Sequence, residues 1–550
     1  MLILAAVVYA QVAAAAAPPS LAGLWEAKRR FGPDARGTLV LRQEGTAWTA
    51  DFAGRVTPVR EEDGLLTFSV AEGSFRARVE RDGIHGFWTQ LPARIDTPVL
   101  LQPEGARRWR GEIAPLDQTF TFYLMIGPNG EAFLHNPERN ATIRWGINRF
   151  ARDGRAVKLL KDNETVLEGT YDQESDTISI PVQERGGTFD FRRGTDASAF
   201  YPRGRAGERY RYRPPLARDD GWPVGTLEDA HIDRAKIEAF IQSLIDLPID
   251  GAHTPDIHAV LVARHGKLVL EEYFHGMNRD TLHDTRSAAK SITAILFGAA
   301  GLDPSLPVYQ TLGAEADDPR KQVMKAEHLL TMSSGFYCDD NDDNAPGRED
   351  TMEEQKAEPD WYRYTLRLPM SDAPGAKAVY CSCNPNVLGA VISRKAGAPL
   401  PELLDRLVAR PLQFGRYAMW LQPTGEPFMG GGVQILPRDF LKLGQLMLDG
   451  GVWHGKRVLS REFVARATSP LVAIGTRGRR YGYLWWVYDR PYKDRNVHAF
   501  FALGNGGQVV MAVPELDLDV VFMGGNYSDV PLLLSKTNNL VPESILPAVE

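Results

Sequence analysis

Between Leu21 and Tyr212 the chain is written in period two. Phe75, Ala77 and Val79 alternate with Arg76, Arg78 and Glu80, and Phe120, Phe122, Leu124 and Ile126 fall on alternate positions. Side chains on a strand point to opposite faces in turn, so this pattern requires half-buried strands. Asp63-Gly64, Asp82-Gly83, Asn129-Gly130 and Asp153-Gly154 supply tight turns that need positive φ. Many short antiparallel strands without intervening helices predict an all-β barrel or sandwich over 20–212. Trp25, Gly45 and Ile84–Trp88 recur in order as Trp109, Gly130 and Leu167–Tyr171, the mark of an internal duplication.

A chain of 550 residues is too long for one ordinary domain. Hydrophobic residues at 43% and charged residues at 24% exclude a mainly disordered chain. Sixty-three basic against seventy acidic residues leave no basic excess for a nucleic-acid partner. Three cysteines exclude a disulfide scaffold and fit no zinc spacing. Leu2 to Ala17 is apolar except for Gln11 and ends in small residues before Pro18-Pro19. Although no Lys or Arg follows Met1, this predicts a signal peptide over 1–17 and a periplasmic or secreted protein. No second run of about 18 apolar residues exists, so no stable membrane span is expected after its removal.

The pattern changes after a polar, proline-rich linker over 213–224. Ile237, Phe240, Ile241, Leu244 and Ile245 lie at helical spacing, with Asp233 as cap and Ile232 stapled to Ile237. A hairpin over 259–274 follows, and helices and strands then mix through a second domain, 225–550.

That domain contains no G-x-S-x-G and no H-E-x-x-H, and Gly450–Lys456 imitates a phosphate loop with Arg457 where Ser or Thr is needed. The acidic run Asp339, Asp340, Asp342 and Asp343 reads as a solvated loop. What remains is Ser287-Ala-Ala-Lys290, the one S-x-x-K of the chain, at a strand-to-helix junction. Residues three apart share a helix face, so the amine can meet the hydroxyl. Serine needs a nearby base, and a lysine that burial has discharged can serve. Backbone N–H groups at the helix start add stabilisation for developing negative charge.

Arg286–Thr293 resembles the first motif of the serine β-lactamase and penicillin-binding-protein superfamily. His328–Phe336, Pro374–Ser382, Gly430–Gly444 and Tyr481–Trp486 are similar, in order, to landmarks of its class C-like branch, and Gly504-Asn-Gly-Gly-Gln508 to its third motif. The resemblance covers about 225–545. It implies an α+β fold, an antiparallel sheet flanked by helices with a helical subdomain, behind the all-β region. By the same resemblance Ser287 is the acylated nucleophile, Lys290 its proton acceptor and Tyr380 a second acid/base whose phenol Lys290 lowers in pKa. The backbone N–H groups of Ser287 and Gln508 form the oxyanion hole, and Ser382, Asn505, Gly506 and Gly507 contact substrate. Neither a metal nor an organic cofactor is implied. In the resembled fold Cys338 approaches Cys381 and Cys383, so a bridge from Cys338 to one of the two is expected.

Two departures bear on substrate. The family's Tyr-x-Asn is here Tyr380-Cys381-Ser382, and the cation that opens the third motif is Asn505. A small neutral ester or amide is therefore the expected substrate, ahead of a D-Ala peptide or a β-lactam. The rival from another class is a binding protein on a decayed hydrolase fold, its ligand held in the β-barrel. The β-region's own partner is unknown. Of the Trp485-Trp486 pair, one ring is expected in the core and the other on a pocket wall.

Overall fold

The computed structural model describes residues 20–31, 35–117, 119–140, 142–205, 207, 209–249, 251, 253–475 and 478–550. The apolar leader over 1–17 lies outside the described residues. Among these residues no helix is long and apolar enough to cross a membrane.

The strands before residue 200 fall into two compact units, only one of which also holds the C-terminal region. In that larger unit eight strands between Gly37 and Ile113 run as consecutive antiparallel neighbours. The strand Arg108–Ile113 pairs both with Gly37–Glu44 and with the end of Ile95–Pro103, closing a barrel. Period-two alternation has sent Leu41, Phe52, Phe75, Trp88 and Leu101 inward, and the barrel interior is a packed core. This removes the interior as the ligand cavity that the binding-protein alternative requires.

The other unit, taken by itself, is an eight-stranded antiparallel sheet. The strand Gly23–Arg30 sits at its middle, between Thr119–Ile126 and Gly187–Arg193. Trp25 and Tyr171 meet edge-on inside it, and Phe122 meets Phe189. An eight-stranded barrel and an eight-stranded sheet therefore occupy the duplicated region, but Trp25 belongs to the sheet and Trp109 to the barrel.

The C-terminal region is built on a second eight-stranded antiparallel sheet, in the order Lys267–Tyr273, Ile257–Arg264, Leu518–Gly524, Gln508–Val513, Arg495–Gly504, Trp486–Tyr492, Arg480–Tyr481, Val472–Ala473. Its central strands Ile257–Arg264, Gln508–Val513 and Leu518–Gly524 are buried at every position because both faces are covered. Val510, Ala512 and Val521 face one core, which includes the helices Ala289–Ala299, Cys383–Ala396 and Pro437–Leu448. Val509, Met511 and Val520 face the other, with the helix Arg234–Ile245 and the C-terminal turns. Asp233 caps Arg234–Ile245 by accepting the Lys236 N–H, as its position predicts.

Barrel and sheet are joined by hydrogen bonds. The strand Ile95–Pro103 pairs with Ala418–Trp420, which pairs with Val433–Ile435, which pairs with His283–Asp284, three residues before Ser287. Arg410 reinforces the junction through Glu80, and Arg78 through Glu402.

The segment 213–224 has a linker's composition but not its freedom. Trp222 is buried and donates to the Arg438 carbonyl at 2.9 Å. The Arg438 guanidinium, also buried, reaches Glu271 at 2.6 Å, Asp220 at 2.9 Å and the Leu216 carbonyl at 2.7 Å. Arg438→Ala would strand the buried Glu271 carboxylate, so we expect it to cost about 3–5 kcal/mol, read as a lowered denaturation midpoint.

Candidate active site

Ser287 lies in a single 3₁₀ turn, Arg286–Ala288, that runs into the helix Ala289–Ala299. The turn is fixed from behind: the Thr285 N–H and hydroxyl both donate to the Val433 carbonyl, at 3.0 and 2.6 Å. Arg286 takes a φ of 46°, a left-handed conformation costly for a residue with a Cβ. Its N–H donates to Asp284 Oδ1 at 3.0 Å, which helps hold the strained turn.

The helix that follows is buried from Ala289 to Phe297, so its polar side chains need partners. Ser291 donates to the Leu484 carbonyl and Thr293 to that of Met429. Lys290 is 1% exposed. Its ammonium donates three times: to Ser287 Oγ at 2.9 Å, to Ser382 Oγ at 2.8 Å and to the Gly430 carbonyl at 2.6 Å. The same nitrogen lies 5.1 Å from the centroid of the Tyr380 ring, and the Tyr380 hydroxyl interacts with both Ser287 and Lys290. Tyr380 is held by Trp486, which stacks on it at 5.5 Å, and by Tyr481. Trp485 is the buried member of its pair, edge-on to Phe500.

The third motif arrives as a hairpin turn between Arg495–Gly504 and Gln508–Val513, strands that pack against the Ser287 turn. A Cβ on Gly504 would lie 2.0 Å from the Thr285 carbonyl oxygen, so only glycine permits this approach. Gln508 opens its strand, and its side-chain amide brackets Gly524, donating to the carbonyl at 2.6 Å and accepting the N–H at 3.3 Å.

Several sequence expectations need correction. Lys290 is not discharged. Burial works against its charge, but Tyr380, Glu349 and Asp340 outweigh it and hold the ammonium above its usual range. The Tyr380 phenol is likewise not lowered: burial raises it by more than Lys290 and Ser287 bring it down. Ser382 is fully buried and engaged with Lys290, so it faces that amine rather than an open substrate pocket. Asn505 Oδ1 accepts the Ser528 N–H at 2.8 Å and pins the neighbouring loop. Gly506 and Gly507 both take positive φ; Tyr527 packs against Gly506, and Lys536 lies behind Gly507. Burial lowers Lys536 to about 8, and its nitrogen donates to the Leu532 carbonyl and Asn526 Oδ1.

Two residues of the site were not read from the sequence. Asp340 Oδ2 accepts both the Ser382 N–H at 2.9 Å and its hydroxyl at 2.7 Å. Glu349 Oε2 lies 2.6 Å from the same hydroxyl oxygen. Burial pushes Asp340 up to about 6, with Lys290 opposing and Glu349 adding to the rise. The acidic run thus contains a half-buried member. The signal was its place two residues beyond Cys338, which bridges to Cys381 and carries the loop onto Ser382. Cys383 remains a buried thiol.

A family model described as Beta-lactamase matches residues 257–524. A 6-aminohexanoate-dimer hydrolase of Paenarthrobacter ureafaciens is 29% identical over 220 residues, 38% of this chain and 55% of that protein. Esterase EstB of Burkholderia gladioli is 30% identical over 221 residues, 34% of this chain and 52% of that protein. The chain thus spans about half the length of these curated relatives. Among solved structures, a penicillin binding protein from Bacillus halodurans superposes with a TM-score of 0.41 at 17% identity, over 51% of this chain and 95% of that one.

The bridge closes a sequence separation of 43 residues and ties the Asp340 loop to Tyr380 and Ser382. Cys381→Ser should lower stability by up to about 4 kcal/mol and reduce turnover along with it, measured by thermal melting and steady-state rates.

Proposed function

With residues 257–524 a β-lactamase-family domain, we propose that this protein is a serine hydrolase that cleaves a small ester or amide through an acyl-enzyme on Ser287. The observation that carries the reading is the convergence of Ser287, Lys290 and Tyr380, with a buried ammonium hydrogen-bonded to the hydroxyl it would activate. In the first step Ser287 Oγ attacks the carbonyl carbon and its proton passes into the Lys290 network. The oxyanion is stabilised by backbone N–H groups of Ser287 and Gln508. Tyr380, kept protonated by burial, protonates the leaving alcohol or amine, and water then releases the acyl group by the reverse proton path.

Uncharged substrates are favoured by the third motif. Asn505 carries no charge and its amide oxygen is committed to Ser528. Lys536, behind Gly507, is itself buried and held by Leu532 and Asn526. A β-lactam or D-Ala terminus would find no ion pair at Asn505. The relatives' printed activities, on an aminohexanoate dimer and on esters, support the same substrate class. The filled barrel speaks against a ligand-carrying role for the β-region, which we assign to bracing the strand that leads to Ser287. The apolar leader over 1–17 supports export.

Ser287→Ala should lower kcat on a short-chain p-nitrophenyl ester by about a thousandfold or more while leaving the fold intact. An unchanged esterase rate in that variant would remove Ser287 as nucleophile. Wild-type kcat/KM should be higher for neutral esters than for penicillins, and the reverse order would bring the β-lactamase reading forward.

A further inference from the structure

Ser382 is the N-cap residue of the helix Cys383–Ala396, yet its hydroxyl makes no capping bond. It turns instead toward three charged groups. A hydroxyl has one proton and two lone pairs. One lone pair receives the Lys290 N–H at 2.8 Å. Two carboxyl oxygens, Asp340 Oδ2 at 2.7 Å and Glu349 Oε2 at 2.6 Å, share what is left. One of them can accept the hydroxyl proton. The other has only a lone pair to approach, and at that distance it must bring a proton of its own. Asp340 already accepts the Ser382 N–H on Oδ2 and the Glu349 N–H at 3.1 Å on Oδ1, which fits it as the acceptor. Glu349 Oε2 is then the donor.

We propose that Asp340 and Glu349 hold one proton between them across Ser382 Oγ, and that Ser382 passes protons between this pair and Lys290. The inference rests on the hydrolase reading above and supplies the step it leaves open. A fully protonated Lys290 has all three N–H bonds committed and no lone pair for the proton of Ser287. Only the N–H aimed at Ser382 leads to a base. Lys290 gives that proton to Ser382 Oγ as Ser382 gives its own to Asp340. The amine is then neutral, the carboxyl pair holds two protons, and the net charge of the group is unchanged. Rotation about the Lys290 Cε–Nζ bond turns the lone pair to Ser287, whose proton it takes on attack. Asp340, Glu349 and Ser382 act through Lys290 and are positioning residues.

Other charges face the pair. Arg286 Nη2 lies 4.0 Å from Glu349 Oε1. Glu353, on the same short helix Glu349–Glu354, is raised by burial to about 7, and Asp284 and Glu349 both act on Arg286. Tyr380 and the Cys383 thiol complete the surroundings. As pH falls until Asp340, raised by burial, takes a second proton, no carboxylate is left to accept from Ser382 and the rate falls.

Two measurements test this. Difference infrared spectroscopy at pH 7 should show a protonated carboxyl in the wild type that is missing from Glu349→Gln but kept in Glu353→Gln. For ester hydrolysis, Glu349→Gln puts one neutral donor to Ser382 Oγ in place of another, so the acidic limb of kcat/KM should stay where it is. Ser382→Ala should lower kcat by about a hundredfold with KM little changed. The proposal is overturned if no carboxyl band at pH 7 is removed by Glu349→Gln and kept in Glu353→Gln, or if the acidic limb moves lower in Glu349→Gln, which would show that Glu349 was charged. Ser382→Ala turning over at the wild-type rate overturns it equally. A chain that shows the carboxyl proton but hydrolyses no ester or amide would refute the hydrolase reading and support the shared proton.

Discussion

The buried ammonium of Lys290 is where sequence, packing and chemistry meet. A lysine inside a fully buried helix costs several kcal/mol unless its charge is compensated and each N–H is used. The three acceptors come from distant parts of the chain: Ser287 one turn away, Ser382 at the start of another helix, and Gly430 in the loop before the strand Val433–Ile435. Removing any one would leave a donor stranded, so the fold must bring all three segments together or lose the lysine's charge. Asp340 and Glu349 add the negative charge that keeps the ammonium protonated. The network that stabilises the lysine also makes it a poor base at rest, and the chemistry has to work around that.

Around this centre the architecture restricts movement. The third motif reaches the Ser287 turn because Gly504 has no Cβ to meet Thr285. The strained Arg286 is tolerated because Val433, Asp284 and the sheet continuing into the barrel over-determine its position. The barrel contributes through hydrogen bonds along one sheet: its strand Ile95–Pro103 is two strands removed from the one that leads to the nucleophile. That gives a mechanical reason for an all-β module with a filled interior to be fused to a hydrolase-like domain.

Much of this was legible in the sequence where spacing alone sets geometry. Period two gave the strands, and positions three apart on a helix put Lys290 under Ser287. The partners of Cys338 narrowed to two because they lie beside Tyr380, and Cys381 is the one bridged. What failed to show depended on burial imposed from elsewhere. Asp340 sits in a run of acids that looks solvated, and the bridge at Cys338 and the helix Glu349–Glu354 turn it inward onto Ser382. The charge state of Lys290 is decided by residues fifty to ninety positions away, which no local pattern encodes. Asn505 looked like a substrate contact by motif position, but a loop twenty-three residues on takes its oxygen. The linker's polar composition hid Trp222 and the Asp220–Arg438 pair, both tertiary contacts.

The central claim, that this constellation makes Ser287 a covalent nucleophile, is tested most directly by incubating the whole protein with a fluorophosphonate and mapping the adduct by peptide mass spectrometry. The account predicts one adduct per chain, on Ser287, lost in Lys290→Ala. An adduct on another serine, or none while the protein still hydrolyses esters, would contradict it.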